Sequence, residues 1–183
     1  MNYYRLYDDI TILNRWYLGD INYENNWDFT NSKGDLTDNL LDLIVSVDRK
    51  GIELDYTETD AYSVPIVSKR LANLLSDYSD DIQLIPATVE GIKKDYHILN
   101  VKYKIECLDE KRSQFQKFEK DNEIRPDLEG HYEAVHLLLI DPCKVYRNIF
   151  RIDKYDIVII VSELVKNRLE KAKLSGLKFK LVS

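Results

Sequence analysis

His131 and His136, with Glu133 between them, are the closest approach in this chain to a metal-ligand pair. A zincin helix needs its histidines four apart, so that both face one ion, with glutamate directly after the first. Here the spacing is five. That turns the two rings about 140° apart on a helix and onto opposite faces of a strand. Cys107 and His97 would make a thiol–imidazole pair, but ten positions separate them in one alternating run, roughly 33 Å of extended chain. Asp109 and Glu110 could divide acid–base work if a cleft enclosed them; a solvated turn accounts for them more simply. Ser68 and Ser162 each follow a short apolar run, but a nucleophile elbow needs flanking glycines that neither site has. Helix capping fits both. The six glycines are scattered, with no phosphate-cradling spacing. These constellations argue for a chain that is not an enzyme, and no metal or cofactor is expected.

The same serines mark a module that occurs twice. Pro65-Ile66-Val67-Ser68 leads into Lys69–Leu75 and then Ile82–Pro86, while Ile159-Ile160-Val161-Ser162 leads into Glu163–Leu169 and then Leu177–Leu181. Each copy reads as strand, serine, helix, strand. The apolar positions Leu71, Leu74 and Leu75 share one helical face, as do Leu164, Val165 and Leu169. Asp80-Asp81 and Ser175-Gly176 end the helices.

Around the modules, strands predominate. The run from His97 to Leu108 alternates over its whole length, with His97, Leu99, Val101, Tyr103, Ile105 and Cys107 on one side, and it predicts a long strand with one apolar face. Tyr3–Leu6, Trp16–Leu18, Ile52–Tyr56, Tyr132–Ile140, Lys144–Tyr146 and Ile149–Ile152 are further strands, and Leu40–Val47 is a strand or short helix. Asp20–Asp38 reads as an irregular segment pinned by Trp27 and Phe29, Asp55–Ser63 as a polar linker, and Ser113–Gly130 as a charged loop. The fold class is therefore α+β, a mostly antiparallel or mixed sheet with a few packed helices. A chain of 183 residues is expected to form a single domain over 1–183, with an acidic N-terminal region, 1–60, and a sheet-and-helix body, 61–183.

Composition excludes several functions. No run of about 18 apolar residues occurs, so no membrane span is expected. Cys107 and Cys143 are too few for a disulfide framework and read as buried reduced thiols of a cytoplasmic protein. Net charge is −6, but it is unevenly spread. Residues 1–60 carry 13 acidic and 5 basic side chains, while 61–183 carry 19 and 21. Such an acidic lobe repels nucleic-acid phosphates and attracts a basic partner.

Several short segments in this order carry a resemblance. They are Tyr3-Tyr4-Arg5-Leu6, Arg15-Trp16-Tyr17-Leu18-Gly19, Pro65-Ile66-Val67-Ser68-Lys69-Arg70-Leu71, Leu84-Ile85-Pro86-Ala87-Thr88-Val89, Tyr96–Val101, Cys107-Leu108-Asp109-Glu110 with Ser113, Ile149-Phe150-Arg151-Ile152 and Ile160-Val161-Ser162. The chain resembles the Imm-eleven type of bacterial immunity proteins, long catalogued as a domain of unknown function and attached to polymorphic toxin systems. The resemblance implies a cytoplasmic protein, encoded beside a secreted toxin, that binds this cognate toxin and blocks it. It implies no catalytic residues. Its polar positions, Asn100, Asp109, Ser113 and Arg151, are expected to make turn and sheet-edge hydrogen bonds. Many toxin domains have basic clefts, so the partner surface is expected in the acidic, aromatic N-terminal third, at Tyr23, Trp27, Asp28, Phe29, Asp35 and Asp38. A non-catalytic interaction or regulatory module is the alternative reading, and a small hydrolase the third.

Overall fold

Both serines open their helices. In the computed structural model, which describes all 183 residues, the Ser68 hydroxyl accepts from the backbone N–H of Leu71 at 3.2 Å, and Ser162 accepts from Val165 at 3.5 Å. Each hydroxyl also donates, Ser68 to Asp55 at 2.7 Å and Ser162 to Asn148 at 2.9 Å. Ser68→Ala and Ser162→Ala should each cost about 1–2 kcal/mol, or roughly 3–8 °C in Tm. Thermal melts decide it; variants that melt with the wild type would show that neither cap matters.

The chain forms β1 (Tyr3–Asp8), β2 (Tyr17–Ile21), α1 (Asp28–Asn31), β3 (Ile44–Arg49), β4 (Tyr56–Glu58), β5 (Pro65–Ser68), α2 (Lys69–Leu75), β6 (Ile82–Val89), β7 (Tyr96–Val101), β8 (Lys104–Ile105), β9 (Gln114–Lys117), β10 (Tyr132–Leu137), β11 (Ile149–Ile152), β12 (Tyr155–Ser162), α3 (Glu163–Lys171) and β13 (Leu177–Leu181). One sheet has the order β2-β3-β6-β7-β5-β4, the other β13-β1-β12-β11-β8, and β9 pairs with β10 as a separate hairpin. The class is α+β, and the sheets together approach a closed barrel.

The repeated modules lie in different sheets and are built alike. In each, the helix carries the chain over one strand, so β5 and β6 flank β7, and β12 and β13 flank β1. The middle strand is antiparallel to both neighbours, which makes each unit a split βαβ. Ser68 stands opposite Tyr96 in register, and Ser162 opposite Tyr3. The next backbone N–H binds the residue before that tyrosine in both copies: Lys69 donates to the carbonyl of Asp95, and Glu163 to that of Asn2. Even the side chains match with roles exchanged, Lys69 pairing with Asp95 and Glu163 accepting from Asn2.

One core joins the modules. Leu71 and Leu75 of α2 pack with Val165 and Leu169 of α3, over Leu99 and Val101 of β7, Leu6 of β1 and Ile159 and Val161 of β12. Fully burying one such side chain contributes about 1.5–3 kcal/mol, so the helix faces alone anchor both sheets. The opposite face of the β7 sheet is covered by the N-terminal segment, through Trp16, Phe29, Leu43 and Leu54. The opposite face of the β12 sheet is covered by the β9–β10 hairpin, through Tyr132 and its neighbours.

Several expectations need correcting. The run from His97 to Leu108 is not one strand: β7 ends at Val101, and β8 belongs to the other sheet, beside β11. β7 is also buried on both faces, with Ile98 in one core and Leu99 in the other, so its alternation reflects two cores and not core against water. Asp55–Ser63 is no linker, since it contains β4 and the buried Thr57 and Thr59. Ile52 makes only an isolated bridge to Arg15, Lys144 ends a 3-10 turn instead of starting a strand, and Gln114–Lys117 is a strand inside the expected loop. Cys107 is buried, and burial pushes its thiol up to about 12, whereas Cys143 is exposed. No helix is long and apolar enough to cross a membrane.

Candidate partner-binding face

The expected N-terminal residues divide among three environments. Asn26 organises the turn before α1: its side chain accepts from Ile21 N–H at 2.8 Å and donates to the carbonyls of Ile21 and Tyr23. This drives Phe29 into the core, fully buried. Phe29 is therefore packing and not a contact residue. Tyr23 packs against it at a tilt, 4.8 Å between ring centroids, and donates its hydroxyl to the Asp38 carbonyl. Burial first, then the charges of Asp28, Asp38 and Glu24, raise the Tyr23 phenol above its usual range. Asp35 lies elsewhere. It pairs with Lys102 at 2.8 Å, in a cleft of about 800 Å³ where the chain crosses between the sheets, among Lys33, Asp80, Tyr103 and Arg147.

Trp27 remains at the surface, half-buried, and its ring meets Tyr62 at 5.7 Å. Tyr62 was not anticipated. It lies in the loop between β4 and β5, 49% exposed. That loop is held tightly: Thr59 donates its hydroxyl to the Ala61 carbonyl at 2.6 Å and accepts from Val64 N–H at 3.1 Å. Thr30 of α1 donates to the Tyr62 carbonyl at 2.9 Å. Tyr62 and Ser63 are consecutively left-handed, with φ of 63° and 49°, a conformation that costs non-glycine residues energy and concentrates at functional loops. The only sequence signal was an aromatic set among small and acidic residues.

Behind the loop, a cleft of about 280 Å³ is lined by Arg5, Asp8, Arg15, Tyr17, Glu58 and Asp60, among others. Arg15 is almost completely buried and grips both oxygens of Asp8, at 2.7 and 2.6 Å. Arg151 is fully buried beyond it; it donates one bond to the Asp156 carbonyl, while Nε and Nη2 have no partner. Burial lowers its pKa to about 10. Burial likewise pushes Glu58 up to about 7, with nearby Asp8 adding to the effect and the Tyr56 hydroxyl, at 2.9 Å, opposing it.

That shift makes stability depend on pH. An acid that holds its proton more tightly when folded stabilises the fold below its ordinary value of 4.5 and loses the contribution as pH rises through about 7. The loss amounts to about 2–3 kcal/mol. Glu58→Gln keeps an acceptor for Tyr56 without the charge, so the variant should gain on the wild type between about pH 5 and about pH 8. Urea unfolding at both pH values measures the difference; a constant gap between the two proteins would exclude Glu58 as its source.

The remaining polar motif positions hold the scaffold. Asn100 is buried, donating to Gly34 and Gln83 and accepting from Ser32. Asp109 caps its own turn and binds Arg112, and Ser113 bonds both backbone groups of Leu139. His131 and His136 sit at opposite ends of the β10 segment, half-buried and exposed respectively.

Two split βαβ units joined by one core describe an α+β protein. The chain belongs to the immunity protein family Imm11, which matches residues 35–183. No curated protein matches the sequence. The family match takes in Asp35, Asp38, Glu58, Asp60 and Tyr62, while Tyr23, Trp27 and Asp28 precede it.

Proposed function

We propose that this chain neutralises a bacterial protein toxin by binding it and covering its active site, working in the cytoplasm as one non-catalytic unit over residues 1–183. Membership of the immunity family carries the reading. The charge distribution supports a basic toxin surface, because net charge −8 is concentrated in residues 1–60, where it steers a basic partner toward the face and disfavours nucleic acid.

The test is co-expression with the product of the adjacent toxin gene, using a catalytically inactive form for purification and the active form for growth. A tight one-to-one complex and restored growth support immunity. Absence of both overturns it and leaves a general interaction or regulatory module as the reading to pursue.

A further inference from the structure

We propose that the toxin docks on the Trp27–Tyr62 pair, presenting a basic surface to Glu24, Asp28, Asp38 and Asp60; this rests on the immunity reading above. Three observations converge on this place. First, a strained loop holds an exposed aromatic ring outward: Tyr62 and Ser63 are both left-handed, Thr59 ties the loop internally, and Thr30 ties it to α1. A rigid aromatic that is already ordered loses little entropy on binding, and such rings dominate interface energetics.

Second, the carboxylates here have no cationic partner. Glu24, Asp28, Asp38 and Asp60 take part in no salt bridge, and Asp28 and Asp38 accept only from the neutral Asn25 amide and Thr37 hydroxyl. Elsewhere in 1–60, Asp8, Asp9, Asp35, Glu53 and Asp55 pair with lysine or arginine, while Asp20, Asp42, Asp48 and Glu58 do not. Unpaired acids around a half-buried aromatic pair favour a cationic occupant. Third, the arrangement is contiguous. Tyr23 donates to the Asp38 carbonyl and packs on Phe29, which follows Trp27 and Asp28 in α1 and the turn before it; Trp27 meets Tyr62 at a tilt, and Asp60 begins the Tyr62 loop. The seam cleft at Asp35 differs, because its lysines and arginine are matched to acids.

Binding kinetics with the inactive toxin test the proposal. Tyr62→Asn removes the ring and keeps a residue that tolerates left-handed backbone; it should weaken the complex about 30-fold or more. The triple variant Asp28→Lys, Asp38→Lys, Asp60→Lys should slow association about 10- to 100-fold and weaken its salt dependence. Asp80→Lys, at the seam cleft, should bind as the wild type does, and thermal melts check that each variant folds. If the wild type binds and protects while folded variants bind equally well, the docking face is wrong and immunity stands. A wild type that neither binds nor protects overturns both. A free-chain dimer that Tyr62→Asn dissociates would assign the face to a second copy and overturn docking of toxin there.

Discussion

Gly176→Ala is expected to lose about 4 kcal/mol or more, the largest effect of any single added methyl group. Gly176 has φ of +88°, and a Cβ there would fall on the Tyr56 carbonyl and lie 2.9 Å from Leu54 Cβ. Neither neighbour can withdraw. Tyr56 N–H donates to the Ser175 carbonyl at 3.1 Å, Asp9 N–H donates to the Gly176 carbonyl at 2.8 Å, and the Asp55 carboxylate accepts from Ser175 N–H at 2.9 Å. The glycine sits where β4, β1 and the start of β13 close upon one another, so displacement there opens the joint between the sheets. Gly91 also has positive φ, at +73°, but nothing lies within 4 Å of its Cβ position; Gly91→Ala should cost only about 1 kcal/mol. Urea unfolding of the two variants side by side separates backbone strain from collision, and equal losses would mean that the joint is loose.

Asp81→Ala should cost about 3–4 kcal/mol. Asp81 is 4% exposed and stands just before β6, in the β7 sheet. Its carboxylate reaches the other sheet, accepting from the N–H groups of Asn148 at 2.9 Å and Ile149 at 3.1 Å and from Arg147 at 3.4 Å. Removing it strands two backbone donors at the start of β11. Asp81→Asn retains an acceptor and should fall between wild type and alanine. The denaturation midpoints of the three proteins test the order; an alanine variant as stable as the asparagine one would show that the carboxylate oxygens hold little.

The scaffold was legible where local chemistry decides it. Serine followed by apolar residues three and seven positions on specified both helices and the repeat, because cap and core face are set within a few residues. What could not be read was which sheet each copy joins, since the strand inserted between the outer pair lies outside the repeat, directly after it in one copy and far before it in the other. The His97–Leu108 run misled for a related reason. Alternation continues through Lys102 and Tyr103 although the chain changes sheets there, and period alone does not record a change of partner. The proposed face was half legible. Acid content and Trp27 pointed to the N-terminal third, but Phe29 is buried in the core and Asp35, although exposed, pairs with Lys102 in another cleft, since their neighbours in space are set by tertiary packing. Tyr62 and Asp60 came from a stretch that looked like a connector. Glu58 gave no local sign of the proton it retains.

The position of β1 between β12 and β13 sets an order of events during synthesis. Tyr3 is opposite Ser162, and Tyr4 opposite Leu181, so β1 has no sheet partner until β12 and β13 have been made. The β7 unit, whose three strands all lie between Pro65 and Val101, can assemble earlier. A translating chain would carry a paired β5-β7-β6 unit and one waiting strand, and closing so long a loop is slow. A nascent chain halted before Tyr155 would leave β1 unpaired on both sides and the core of α2 without the facing residues of α3.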